Sequence, residues 1–474
     1  MKERYPLLLG GRHVETPDTL NVINPYDGGL IAGVCSASDK EAVLAVDSAD
    51  RAREAIKEIP SHRRSDILRS ISDGISDNKE ELANTITLEC GKPISASRGE
   101  VDRAALTFSI SADEVSRISG EFIPLDLNSA SEKRWGITRR FPAGPVFGVS
   151  PFNFPLNLVA HKIAPSIAAG NPVILKPASK TPITALMLGD IIVEAGLPEG
   201  GISVLPCSGK VAEKIIIDER IKVFSFTGSV PVGWRLKSVA NQKKVILELG
   251  GNAGVVVDED CNIERAVDRC VTGAFAYSGQ VCISVQRIYI HEKVYDRFSE
   301  MFLKRVKELK MGDPLDDSVV IGPMIDKENV ERVEAWVNEA VEKGATVLAG
   351  GKRKDNFYEP TVLSDTDPGM KVNCMEVFAP VVTLSKVRSF EEGLDAVNNS
   401  DFGMQAGIFT EGLKKAYKAF ETLEVGGVII NDVPTYRVDH MPYGGVKISG
   451  FGREGIRYTI EEMTELRLMV LDLK

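Results

Sequence analysis

The chain has 474 residues, more than one ordinary hydrophobic core accommodates, so two or three domains are expected. Its composition, 43% hydrophobic and 26% charged, is that of a globular chain rather than a disordered or fibrous one. A formal net charge of −10 argues against a broad nucleic-acid or anionic-membrane surface, but not against a local cationic pocket for a small anion.

The N-terminal MKERYPLLLGG has too short an apolar run for a secretory signal. Residues 40–118 are mainly helical: EAVLAVDSADRAREAI and RRSDILRSISDGISDNKEELANTITLEC repeat apolar residues at helical spacing. Residues 121–142 fit no core. Residues 141–160 hold no charge, but Pro142, Pro145, Pro151 and Pro155 rule out one membrane-spanning helix there.

From residue 146 onward, β-rich runs alternate with helical patterns. VFGV (146–149), PVIL (172–175), ISVL (202–205), KVFSF (222–226) and KVILEL (244–249) read as buried strands. Helical patterns near 157–169, 182–195, 209–217 and 231–240 lie between them, which describes a parallel, doubly wound sheet. A second alternation follows Gly251, with AGVVV (253–257), VQRIYI (285–290), PVVTLSKV (380–387), AGIF (406–409) and GGVIIN (426–431). The expected fold class is therefore α/β, with two doubly wound, Rossmann-like α/β domains and a ligand cleft between them. The tail TELRLMVLDLK (464–474) alternates enough for an edge strand. With 121–142 it is expected to form a small β-hairpin oligomerisation extension that pairs between subunits.

The seven cysteines, at 35, 90, 207, 261, 270, 282 and 374, are odd in number and scattered. No C-x-x-C pair and no neighbouring histidine cluster accompanies them, so neither a disulfide framework nor a metal site is expected. A reducing, cytoplasmic location fits.

Four stretches carry chemistry. In SPFNFP (150–155) two prolines stiffen the backbone around Asn153, whose amide can donate to an oxyanion or merely satisfy the loop. In FTGSVPVG (226–233) a strand ends, Gly228 turns and Ser229 can cap the next helix, whose free N–H groups suit a phosphate. A plain β–α turn would read the same way. In LELGG (247–251) Glu248 ends an apolar strand, where partial desolvation raises it toward general-base range unless an ion pair or water compensates. In AYSGQVCISV (276–285) Cys282 lies just past a helical pattern, beside Gly279, where partial exposure and backbone dipoles can activate it. Cys270, on the apolar spacing of that helix, reads as core. By spacing alone Cys282 can equally be one more buried thiol.

These stretches, together with NPYDGGLI (24–31), LKPASKTP (175–182), EVFAPV (376–381), GGVIIND (426–432) and PYGGVKISGFGREG (442–455), resemble the NAD(P)-dependent aldehyde dehydrogenase superfamily over essentially the whole chain. The resemblance implies a cofactor-binding domain from 1–120 and 143–250, with 449–459 packed back on it. It implies a catalytic domain from 251–448, and an oligomerisation extension from 121–142 and 460–474. It makes Cys282 the nucleophile, Asn153 an oxyanion donor and Glu248 the base that activates the hydrolytic water. Cofactor contacts would come from Ser150, Pro151, Phe152, Lys176, Ser179, Lys180, Phe226, Thr227, Gly228, Ser229, Val232, Leu249, Gly250, Glu376 and Phe378.

Many NAD-preferring members carry a glutamate three residues after the lysine of KP. Here Ser179 stands there, followed by Lys180, which tolerates or attracts a 2′-phosphate and favours NADP over NAD. The substrate tunnel would be lined by Asn153, Leu158, His161, Val281, Ile283, Arg437 and Tyr443. A histidine and an arginine there imply a small polar or anionic aldehyde of the lactaldehyde, glyceraldehyde or succinate-semialdehyde class. The other reading of Arg437 is a surface ion pair with Asp439 or Asp432. Glu248 weighs against a CoA-acylating relative. Val281, in place of an arginine before the nucleophile, weighs against a phosphorylated glyceraldehyde. The intact Cys282, Asn153 and Glu248 weigh against a silent structural or binding relative. The partners expected are the aldehyde and a second copy of the chain, as a homodimer or homotetramer, with no nucleic acid and no membrane.

Overall fold

A computed structural model describes residues 2–473. Met1 and Lys474, the outermost residues of the expected segments 1–120 and 460–474, lie outside the described residues. Four helices, Asp39–Lys57, Ser61–Asp77, Lys79–Cys90 and Ile94–Val115, make up most of the N-terminal region. Ser38 caps the first through a reciprocal box with Glu41, as the S-x-x-E spacing dictates.

An eight-stranded sheet follows the order 450–451, 244–248, 223–227, 146–149, 173–176, 202–204, 7–9, 12–14. Its five central strands are parallel; Gly450–Phe451 and Leu7–Leu9 close it antiparallel. The chain enters at Val146–Val149, runs outward one way, then returns to build the other side. The strand order therefore reverses between Val146–Val149 and Val223–Thr227, the crevice where doubly wound sheets bind ligands. Ser150–Asn153 and Gly228–Ser229 leave from either side of it. Thr227 is in register with Glu248, and Val149 with Lys176, so these side chains share one edge.

A seven-stranded sheet follows the order 346–349, 361–364, 381–387, 285–291, 253–257, 405–409, 427–430, parallel except for Thr346–Ala349. The central strands of both sheets are buried on both faces, as continuous Val, Ile and Phe runs demand. Phe122–Pro124, Arg134–Pro142 and Thr464–Asp472 form a third, three-stranded sheet. There the tail pairs with Arg134–Pro142 residue by residue inside one chain.

Candidate active site

Side chains from the carboxyl edge of the first sheet meet loops at the amino edge of the second. Ala253 is in register with Val285, so LELGG and the Cys282 loop enter the second sheet side by side. A Cβ on Gly251 would lie 2.0 Å from the Cys282 carbonyl oxygen, an approach that only glycine permits.

The helix Ile263–Phe275 ends where Tyr277, Ser278 and Gly279 adopt φ of 48°, 54° and 68°. Three successive left-handed residues throw the chain sideways and deliver Cys282 into the cleft. Cys270 is fully buried in that helix. Cys282 is partly exposed, yet burial pushes its thiol up to about 11. Desolvation of the sulfur opposes, in the resting site, any activation by backbone dipoles. The nearest polar partner is the Tyr443 hydroxyl, 3.1 Å from Sγ.

Asn153 is 3% exposed and donates through Nδ2 to the Gln280 carbonyl at 2.9 Å, so it does satisfy a loop, namely the one carrying Cys282. Its second N–H is left for another acceptor. Glu248 is more than partly desolvated: it is 2% exposed and neither carboxylate oxygen has a partner. Burial first, and the Glu454 carboxylate second, hold it well above the ordinary range. Burial also works against charge on Glu454, but Lys162 first, and then Arg437, hold it below its ordinary value. Of two carboxyls sharing a buried site, the one with the cations stays ionised and Glu248 keeps the proton.

Arg437 corrects one expectation. It makes no surface pair with Asp439 or Asp432, which are taken by Arg103 with His161 and by Arg269 respectively. Its side chain is 7% exposed, lies 3.5 Å from Glu454 and stacks 3.7 Å over the Tyr443 ring, and its Nε has no partner. His161 is 1% exposed, with Nε2 at 2.8 Å from the Asp439 carboxylate and a buried Nδ1 without a partner. Burial, then Arg437, lower its pKa and keep the ring neutral. Leu158 is buried on the same helix, while Val281 and Ile283 flank the sulfur and pack with Tyr443 and Met404.

The cofactor candidates divide. The Lys176 Nζ bonds the Pro177 carbonyl, burial lowers its pKa, and Ser150, beside it, has a buried hydroxyl without a partner. Glu376 is pushed up to about 7 by burial although it accepts the Gly251 N–H at 3.1 Å; Gly250 abuts its carboxylate. Phe378, at φ 51°, packs edge-on against Phe152, which follows Pro151. Gly228 donates to the Glu248 carbonyl, and Val232 is exposed on the first turn of the helix Val230–Val239.

Ser229 stands at the N-cap of that helix, but its side chain accepts no hydrogen bond from the first turn, where Pro231 lacks an N–H. The remaining first-turn N–H groups therefore have no side-chain cap, which suits a phosphate. Phe226 and Leu249 are core residues, able to offer a cofactor only their backbone. Ser179 is exposed. Lys180, whose side chain is 52% exposed, makes a surface ion pair with Asp326. These groups fit a dinucleotide with its phosphates at the Val230 helix. Among the described residues no cluster of metal-ligating side chains occurs.

Sequence reasoning missed Lys162, which donates to Thr227 at 2.8 Å, to Ser225 at 3.0 Å and to Glu454 at 3.2 Å. The signal was available: Lys162 is the first charge after the uncharged run 141–160, in a helix buried on every side. Arg103 was missed too, and the roles of Gln280 and Glu454, although both lie in the quoted motifs, and of Asp439 as the partner of His161 were not read from them.

The aldehyde dehydrogenase family profile matches residues 13–469. A 3-sulfolactaldehyde dehydrogenase of Priestia aryabhattai is 44% identical, over 99% of this chain and 98% of its own. The crystal structure of aldehyde dehydrogenase 21 from Physcomitrella patens, in complex with the reaction product succinate, superimposes with a TM-score of 0.98 at 44% identity, covering 100% of this chain and 99% of that one. A glyceraldehyde-3-phosphate dehydrogenase of Methanocaldococcus jannaschii, complexed with NADP, gives a TM-score of 0.93 at 40% identity, covering 97% of this chain and 100% of that one.

Proposed function

Since the chain belongs to the aldehyde dehydrogenase family, and is an oxidoreductase acting on aldehydes, we propose that its substrate is a short anionic aldehyde and its preferred cofactor NADP. In this reading Cys282 adds to the carbonyl and forms a tetrahedral thiohemiacetal. The free Asn153 N–H and the Cys282 backbone N–H hold the oxyanion. A nicotinamide cofactor would be held by Lys176 at its adenosine ribose, by the Val230 helix at its phosphates and by Glu376 and Phe378 at its nicotinamide end, and would supply the hydride acceptor that the thioester requires. Glu248 then takes a proton from water, which attacks the thioester and releases the free acid and the thiol.

The observation that carries the substrate class is Arg437, a buried cation with an unpartnered Nε, next to the nucleophile's tyrosine. Lys162 and Arg437 converge on one carboxylate, Glu454, and a carboxylate or sulfonate on the substrate would give the Arg437 Nε the partner it lacks. The relatives whose names or complexes include sulfolactaldehyde and succinate support the same class.

The test is a kinetic panel of succinate semialdehyde, sulfolactaldehyde, lactaldehyde, glyceraldehyde 3-phosphate and a longer neutral aldehyde, for the wild type and Arg437→Leu. Arg437→Leu is expected to raise KM for the anionic aldehydes about tenfold or more and to leave the neutral one unchanged. Equal effects on all would refute the clamp.

For the cofactor, Ser179 carries the argument, and Lys180 beside it makes a surface ion pair with Asp326. Ser179→Glu is expected to shift preference toward NAD, and an unchanged NADP/NAD ratio of kcat/KM would count against it. The proposed assembly is a homodimer or homotetramer, supported by the open, apolar edge of the tail strand. A cytoplasmic location is proposed from the cysteine pattern; among the described residues no helix is long and apolar enough to cross a membrane.

A further inference from the structure

Tyr443 has a property that lining a substrate tunnel does not require. Its hydroxyl lies 3.1 Å from the Cys282 sulfur, and the residue is 2% exposed. The ring is fixed from several sides. The Tyr443 N–H donates to the Glu454 carbonyl at 3.0 Å, and the Glu454 N–H returns a bond to the Tyr443 carbonyl at 2.7 Å. Arg437 covers one face at 3.7 Å, and Ile283 and Met404 pack against the ring. A cation on the face of a phenol draws electron density from the ring and makes its O–H a better donor.

While Cys282 is a thiol, either partner can donate. An ionised sulfur has only lone pairs, so the tyrosine must then be the donor. It retains the proton to do so, because burial, then Cys282 itself, hold its phenol well above the ordinary range. The other titratable groups facing the sulfur are Arg437, which favours the thiolate, and Glu376 and Glu248, which oppose it when they are ionised.

We propose that Tyr443 is a positioning residue for the nucleophile: its hydroxyl donates to the Cys282 thiolate and holds the sulfur in its reactive state, with Arg437 stacked on the ring to strengthen the donor. The proposal rests on the reading of Cys282 as nucleophile.

Tyr443→Phe removes the oxygen and keeps the ring. The readout is the rate at which iodoacetamide alkylates Cys282 in the full-length enzyme, followed across pH by peptide mass spectrometry. The midpoint of that profile is expected to rise by about one pH unit, so that alkylation at neutral pH slows about tenfold. Fluorotyrosine incorporated in place of tyrosine, a stronger donor of nearly the same size, is expected to move the midpoint down. Midpoints unmoved by both changes overturn the proposal. Cys282→Ala separates its failure from that of its premise. If that variant has no turnover, an unmoved midpoint counts against Tyr443 alone; if it still turns over, both readings fall.

Discussion

Glu248 shows most directly how one residue's surroundings set its chemistry. Two buried, unpartnered oxygens beside Glu454 keep it protonated above the ordinary carboxylate range. A base must first lose that proton, so hydrolytic turnover is expected to rise with pH through the raised range. Glu248→Gln should abolish that rise and cut steady-state turnover by about 10²- to 10³-fold, while a rapid-mixing trace still shows the first burst of reduced cofactor. Glu376, pushed up to about 7, also titrates above the ordinary carboxylate range, so the comparison with the variant isolates Glu248. A variant that turns over normally would mean that water is activated by another group. Asn153, Glu248 and Cys282 were legible because each lies where a strand or helix pattern stops in a Gly- or Pro-rich stretch. The charges that set their behaviour were not. Lys162 and Glu454 are 292 positions apart in sequence and meet only because Gly450–Phe451 returns to pair with Lys244–Glu248.

At the level of elements, strands and helices fall within one or two residues of the apolar runs that specify them; 146–149, 253–257, 157–169 and 209–217 coincide with their patterns. What pattern reading could not reach is the shape of the two loops that bear Asn153 and Cys282, because distant groups impose it. The Glu100 carboxylate accepts the Leu156 and Asn157 N–H groups at 2.9 and 3.1 Å and so fixes the start of the helix after SPFNFP. Lys92 pairs with Glu100 and lies 3.7 Å over Phe154 and 4.6 Å over Tyr277. One buried ion pair thereby touches both loops. The strained turn at Tyr277–Gly279 is held further by Tyr277 on the Cys90 carbonyl, by Ser278 on the Gly322 carbonyl, and by a Gly279 that leaves no room for a side chain beside Ala379. Lys92→Met leaves Glu100 buried without its cation, which is expected to cost about 3–5 kcal/mol in denaturant unfolding. It should also lower kcat by more than it raises the KM for NADP, since Lys176 and the Val230 helix lie on other strand ends. A variant with wild-type kcat would reduce the pair to a purely structural role.

For the whole molecule, the decisive feature is a pair of open sheet edges. Thr464–Asp472 is bonded on one side only, and along it Leu466, Leu468 and Val470 are 56%, 54% and 52% exposed. Gly427–Ile430 ends the seven-stranded sheet, and the helix beside it, Leu413–Thr422, exposes Leu413, Tyr417 and Phe420 along one stripe. A long apolar edge strand is a hazard unless something covers it, and a second copy of the chain supplies a matching surface at every encounter. An interface of ordinary stability needs about 1,200–2,000 Å² in total, more than one strand offers, so the helix stripe would belong to it as well. Light scattering after size exclusion is expected to give a dimer or tetramer for the wild type and a monomer for Leu468→Asp combined with Val470→Asp. Tyr417→Asp with Phe420→Asp should weaken the assembly in the same direction. A wild-type chain that runs as a monomer at micromolar concentration would refute the reading. Every group assigned to the active site comes from one chain. The dissociated protein should therefore still bind NADP and give the first burst of reduced cofactor; loss of both would mean that a neighbouring copy braces the cleft.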